Sequence, residues 1–90
     1  MIETIGFSIN GYDDYVYWQT EDKKTLRKIN KLIQSARRTP FQGEGHPKPL
    51  RGDFAGYWRR EIDDKNRLIY RIVNSTHLEI VQCRGHYNDK

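Results

Sequence analysis

Apolar and polar side chains alternate through residues 4–9, with Ile5, Phe7 and Ile9 on one side, which predicts a short N-terminal strand. Asn10-Gly11 punctuates it. Over residues 12–19 the period changes, and Tyr12, Tyr15, Val16 and Gln19 share one side of a short helix ending near Thr20. Asn10 is its expected N-cap, and Asp13-Asp14 sit in the first turn, where the helix dipole favours anions. The strongest period comes next. Asp22 can cap a helix over Lys23–Arg38 in which Leu26, Ile29, Leu32, Ile33 and Ala36 form one apolar stripe. Lys23, Lys24, Arg27, Lys28 and Lys31 take its other faces, and Arg37-Arg38 close it where cations suit the dipole. So short a link forces the two helices into an antiparallel hairpin, with the aromatic residues of the first as core against the second.

Thr39-Pro40 stops the second helix, and residues 42–49 read as a loop shaped by Gly43, Gly45, Pro47 and Pro49. After a turn over 52–56, strands are predicted over 57–62, Arg67–Val73 and 77–83, joined by links of hairpin length. The order describes one two-layer α+β domain over residues 1–90. Its N-terminal strand joins a mainly antiparallel sheet of four or five strands, and the helix hairpin packs on one face. Alternation sends Leu68, Tyr70 and Ile72 to one side and Arg67, Ile69 and Arg71 to the other. Likewise Trp58, Arg60 and Ile62 oppose Tyr57, Arg59 and Glu61. With the apolar sets under the helices, Arg67, Arg71, Arg59, Glu61 and Tyr57 line the open face. Arg60 falls on the covered side unless it snorkels out at an edge.

Charge sharpens this picture. The chain carries 16 basic and 12 acidic residues, and the excess is uneven: residues 1–36 are balanced, while eight arginines lie beyond them. Arginine grips phosphate through two parallel hydrogen bonds, so an arginine-rich sheet face beside tyrosine and tryptophan points to nucleic acid. Apolar runs are too short for a membrane span, and the N-terminus lacks the layout of a secretory signal, so a cytoplasmic protein is expected. The single Cys83 excludes an internal disulfide and reads as a small core residue. His46 and His86 have no third ligand at suitable spacing, so no metal is expected.

Several blocks of the chain together resemble a known family. Asp13-Asp14-Tyr15-Val16-Tyr17-Trp18-Gln19, Lys28-Ile29-Asn30-Lys31-Leu32-Ile33, Arg38-Thr39-Pro40-Phe41, Gly56-Tyr57-Trp58, Asn66-Arg67-Leu68-Ile69-Tyr70 and His86-Tyr87 are similar, in that order, to the YoeB/Txe toxins of the RelE-like superfamily. The resemblance implies a cofactor-free, metal-free endoribonuclease that enters the ribosomal A site and cuts mRNA. It also implies neutralisation by a YefM-like antitoxin and a homodimeric state. By motif, Arg67 matches the arginine that stabilises the transition state. His86 matches the general acid, and Tyr87 the tyrosine that holds the substrate nucleotide. Lys48, Arg51, Arg59 and Arg71 are the accompanying candidates for phosphate contact.

Two motifs depart from the family pattern. Relatives usually read Gly-Lys-Pro-Glu-x-Leu, with the glutamate as general base, whereas this chain reads Gly45-His46-Pro47-Lys48-Pro49-Leu50. A protonated lysine accepts no proton. Where the family shows Ser-Arg-Arg-Ile, this chain has Arg59-Arg60-Glu61-Ile62, so a carboxylate replaces the second arginine. Three readings stand open: Lys48 and Glu61 have exchanged places and Glu61 is the base; Glu44 or His46 is the base; or the chain cleaves poorly and acts by binding. An exposed ion pair of Glu61 with Arg67 or Arg71 is the plain structural alternative.

Overall fold

Asp22 does cap a helix over Lys23–Arg38: its Oδ1 accepts from the N–H groups of Lys24 and Thr25, both at 3.1 Å, and its Oδ2 from the Thr25 hydroxyl at 2.9 Å. The computed structural model describes residues 1–86. In chain order the elements are β1 (Thr4–Phe7), α1 (Ile9–Glu21), α2 (Lys23–Arg38), β2 (Lys48–Pro49), a 3-10 turn (Gly52–Phe54), β3 (Trp58–Glu61), β4 (Arg67–Val73) and β5 (His77–Gln82). They form a sheet in the order β1-β5-β4-β3-β2, in which β1 runs parallel to β5 and the other pairs are antiparallel. This is the expected α+β architecture, with one addition. Lys48-Pro49, expected as loop, pairs with β3 as an edge strand, a place that tolerates a proline lacking an N–H.

The first helix differs from expectation. It starts at Ile9, and Ser8 rather than Asn10 is the N-cap, its hydroxyl accepting from the Gly11 N–H at 3.0 Å. The apolar face shifts with it. Gly11 and Trp18 are buried, whereas Tyr12 and Val16 are exposed. The cause is contact with β5, since a Cβ on Gly11 would collide with the Ile80 carbonyl oxygen. Asp13 and Asp14 therefore leave the first turn. The hairpin itself forms as expected: Tyr15 and Asn30, almost equally far from Asp22, meet through a 2.8 Å hydrogen bond.

Ile29, Leu32, Ile33 and Ala36 of α2 pack with Trp18, Ile62, Leu68, Tyr70, Leu78, Ile80 and Cys83 between helices and sheet. Burying this apolar surface is the main stabilising term. Arg60 lies there too, on the covered side where alternation placed it, and it does not snorkel out but is 0% exposed. Its five N–H donors find five acceptors instead. Nε donates to the Tyr70 hydroxyl (2.9 Å), Nη1 to Ser35 Oγ (2.8 Å) and the Glu44 carbonyl (2.9 Å), and Nη2 to the carbonyls of Thr39 and Gln42 (both 2.7 Å). Arg60 thereby fastens the loop after α2 to the sheet.

Candidate active site

Cross-strand register gathers the polar face. Lys48 stands opposite Arg59, Arg59 opposite Ile69, and Glu61 opposite Arg67. Residues directly opposite in an antiparallel pair share a face. Their neighbours Trp58, Leu68 and Tyr70 pack towards the helices, so Lys48, Arg59, Glu61, Arg67 and Arg71 lie on the other side of the sheet.

Glu61 is the carboxylate among these cations. Its Oε2 is 3.8 Å from Arg59 Nη1 and its Oε1 3.6 Å from His46 Nδ1, with the side chain 44% exposed. His46 reaches it because the Glu61 N–H donates to the Gly45 carbonyl at 2.7 Å, holding the loop against the end of β3. Gly45 has φ +83°, and a Cβ there would come within 2.8 Å of Leu32 Cδ2, so both backbone and space call for glycine. Glu44 goes elsewhere. Its N–H bonds Ser35 Oγ at 3.2 Å, and it lines a groove of about 540 Å³ beside Arg27, Lys31 and Arg38 of α2. Of the two loop candidates, His46 adjoins Glu61 and Glu44 does not.

Arg67 shares the register with Glu61 but pairs with neither it nor any other carboxylate among the described residues. Its Nη1 donates to the carbonyls of Asp63 and Asn66. The turn presents those carbonyls because Asp63 Oδ1 accepts from the N–H groups of Lys65 and Asn66, each at 2.8 Å. Arg51 is exposed, and its carbonyl accepts from the Phe54 N–H at 3.2 Å to begin the 3-10 turn. Arg71 is exposed as well, its guanidinium carbon 5.5 Å from the centre of the Tyr57 ring.

The chain beyond β5 is held from two sides. The Cys83 N–H donates to the Asp14 carboxylate at 3.0 Å, and the Cys83 carbonyl accepts from Trp18 Nε1 at 2.8 Å. Arg84 stacks on Tyr17, its guanidinium carbon 3.7 Å from the ring centre. On the sheet side the Gly85 N–H donates to Asn66 Oδ1 at 2.8 Å, and the Gly85 carbonyl accepts from the Arg67 N–H at 3.0 Å. His86, half-buried, thus follows directly on a residue bonded to Arg67. Tyr87 lies outside the described residues. Burial raises the Asp14 carboxyl above the ordinary range, against the lowering pull of the Cys83 N–H. Sequence reasoning assigned no role to Asp14 or Asn66 in holding this tail. Asn66 stood within a quoted block, but nothing in its pattern showed the bond to Gly85.

Among the described residues, no three histidine, cysteine or acidic side chains gather as a metal site, and no helix is long and apolar enough to cross a membrane. What remains is a sheet face carrying Lys48, Arg59, Arg67 and Arg71, with the Glu61 carboxylate beside Arg59 and His46.

Comparison with known proteins agrees with this fold. Residues 7–87 match the model of a family described as YoeB-like toxin of bacterial type II toxin-antitoxin system. Toxin YoeB of Streptomyces coelicolor is 48% identical over 83 residues, covering 92% of this chain and 98% of the relative. The solved YoeB/ParE toxin from Agrobacterium tumefaciens superposes with TM-score 0.92 at 46% identity, over 94% of this chain and 100% of that one. From Staphylococcus aureus, a heterotetrameric YoeB-YefM toxin-antitoxin complex matches with TM-score 0.85 and 36% identity, over 97% of this chain and 99% of that one. The YoeB dimer of the same organism matches with TM-score 0.86 and 38% identity, over 97% and 100%.

Proposed function

Because the chain belongs to the YoeB-like toxin family of bacterial type II toxin-antitoxin systems, we propose that it is an endoribonuclease that cuts mRNA in the ribosomal A site and stops translation in the cytoplasm. The observation that carries this reading is the register that puts Lys48, Arg59, Glu61 and Arg67 on one sheet face, next to the chain leading into His86.

In this mechanism the Glu61 carboxylate takes the proton of a ribose 2′-hydroxyl. The 2′-oxygen attacks the adjacent phosphorus, the bond to the 5′-oxygen breaks, and protonated His86 gives that oxygen its proton. The products are a 2′,3′-cyclic phosphate and a 5′-hydroxyl. Lys48, Arg59 and Arg67 offset the extra negative charge that develops on the phosphorane-like transition state. Arg67 uses Nη1 on the turn carbonyls and keeps its other N–H donors for phosphate. Arg51 and Arg71 extend the phosphate track along the strand, and Tyr87 holds the substrate nucleotide. Lys48 at the family's base position supplies the cation that Glu61 removed from its own. The contact of His46 with Glu61 favours a second reading, in which His46 is the base and Glu61 orients its ring.

The likeness to the YoeB-YefM complex and the YoeB dimer supports a YefM-like antitoxin and a second copy of the chain as partners. Primer extension on translating ribosomes tests the function. Cut ends within the A-site codon, abolished by Arg67→Ala or His86→Ala and by the cognate antitoxin, are expected. Arrest of translation without cut ends would leave a binding protein rather than an enzyme.

A further inference from the structure

One buried apolar residue on the polar sheet face lies outside the main core cluster. Ile69 is 2% exposed, yet the core cluster takes in its neighbours Leu68 and Tyr70 and leaves it out. It points the other way, opposite Arg59 on one strand and Gln82 on the next. There it lines a concavity of about 340 Å³ together with Tyr57, Gln82, Asn10 and Asp53. With Phe54 and Val81, which also line it, the wall combines two aromatic rings, two aliphatic side chains, two amides and a carboxylate. Both the Tyr57 ring and one amide are braced: Arg71 lies over Tyr57, and Asn10 Nδ2 donates to the Val81 carbonyl at 3.1 Å.

We propose that this concavity is a nucleobase subsite, which takes one unpaired base of single-stranded RNA stacked against Tyr57, its edge meeting Gln82, Asn10 and Asp53. The proposal rests on the RNA-cleaving reading of the same face and extends it from phosphate to base. Three features carry it. Every base has a π face, so an aromatic ring with an apolar wall holds an unpaired base whatever its sequence. Amide and carboxylate groups at the same place hydrogen-bond the polar edges that pairing would otherwise occupy. Ile69 is also two residues from Arg67 on β4 and directly opposite Arg59, so the concavity begins about 7 Å from the cations that would hold the phosphate. An apolar peptide side chain or a neutral metabolite would make no use of those flanking cations. A nucleotide uses both halves.

The test is titration of the isotope-labelled protein with a non-cleavable 2′-O-methyl trinucleotide, followed by amide resonance shifts. The same trinucleotide is then used with each base in turn replaced by an abasic sugar. The intact probe is expected to shift Arg59 and Arg67 and also Tyr57, Ile69 and Gln82. Removing the base at one position should abolish the second set, keep the first, and weaken binding about tenfold. Tyr57→Ala should weaken binding of the intact probe by a similar factor and make it indifferent to base removal, while Tyr57→Phe keeps the parental preference. If Arg59 and Arg67 shift while every abasic probe binds equally, the subsite is wrong and the RNA-cleaving reading stands. If neither set shifts, both fall together.

Discussion

Arg60 Nε donates to the Tyr70 hydroxyl across 2.9 Å, and that hydroxyl in turn donates to the Pro40 carbonyl at 2.6 Å. A buried cation here is satisfied by neutral oxygens, for none of its five acceptors is a carboxylate. Burial raises the Tyr70 hydroxyl above its ordinary pKa, while the bond from Arg60 pulls the other way, so Tyr70 stays protonated and can keep donating.

Arg60→Ala is expected to lower stability by about 3 kcal/mol or more, because it strands several buried acceptors at once. Arg60→Lys, with three donors in place of five, should recover only part of that loss. Equilibrium urea unfolding checks both. Parental stability in the alanine variant would mean that the loop does not depend on this residue.

That cluster marks where sequence reasoning stops. The bounds of α2 and β4 were legible, since a cap, a stripe and a strict alternation are all local signals. The cationic face was legible for the same reason, as alternation alone separates Arg59, Glu61 and Arg67 from Trp58, Leu68 and Tyr70. The same alternation put Arg60 on the covered side, but not how it is satisfied there, because most of its partners are backbone carbonyls of a loop and carbonyls leave no trace in side-chain pattern. The start of α1 was misplaced because Gly11 looked like a break and is instead the point of close approach to Ile80. The engagement of Arg67 with the Asp63 and Asn66 carbonyls depends on turn geometry, which composition does not reveal.

Two carboxylates should give opposite pH dependences. Asp14 is raised chiefly by burial, so the folded chain holds its proton more tightly than the unfolded one does. Its contribution to stability therefore falls as pH rises from the ordinary carboxyl range through the raised folded value. Asp14→Asn keeps an oxygen for the Cys83 N–H and removes that titration, so its stability relative to the parent should rise across this window and then level off. Asp22 is lowered, first by the Thr25 N–H. Its contribution is present above the ordinary carboxyl range and is lost as pH falls through the lowered folded value. Asp22→Ala should destabilise at neutral pH, and the difference should shrink in strong acid. Thermal unfolding as a function of pH separates the two. Parallel profiles for both variants would contradict the assignment.

Cys83 should be chemically silent in the folded protein. It is 0% exposed, and burial, with Asp14 adding to it, pushes its thiol up to about 12. Iodoacetamide at mildly alkaline pH should leave it unmodified in buffer and alkylate it fully in denaturant, as mass spectrometry would show. Rapid labelling of the native chain would place the thiol in solvent and undo the packing described for the end of β5.

The central claim is that the carboxylate displaced from the loop to β3 does the work of the base. The most direct measurement is single-turnover cleavage of mRNA on programmed ribosomes by Glu61→Gln, His46→Gln and Glu44→Gln, with ribosome binding measured alongside. Glu61→Gln should cleave at least about tenfold more slowly while still binding, with the other two close to the parent. A Glu61→Gln protein that cuts at the parental rate, with His46→Gln or Glu44→Gln slow in its place, would contradict it.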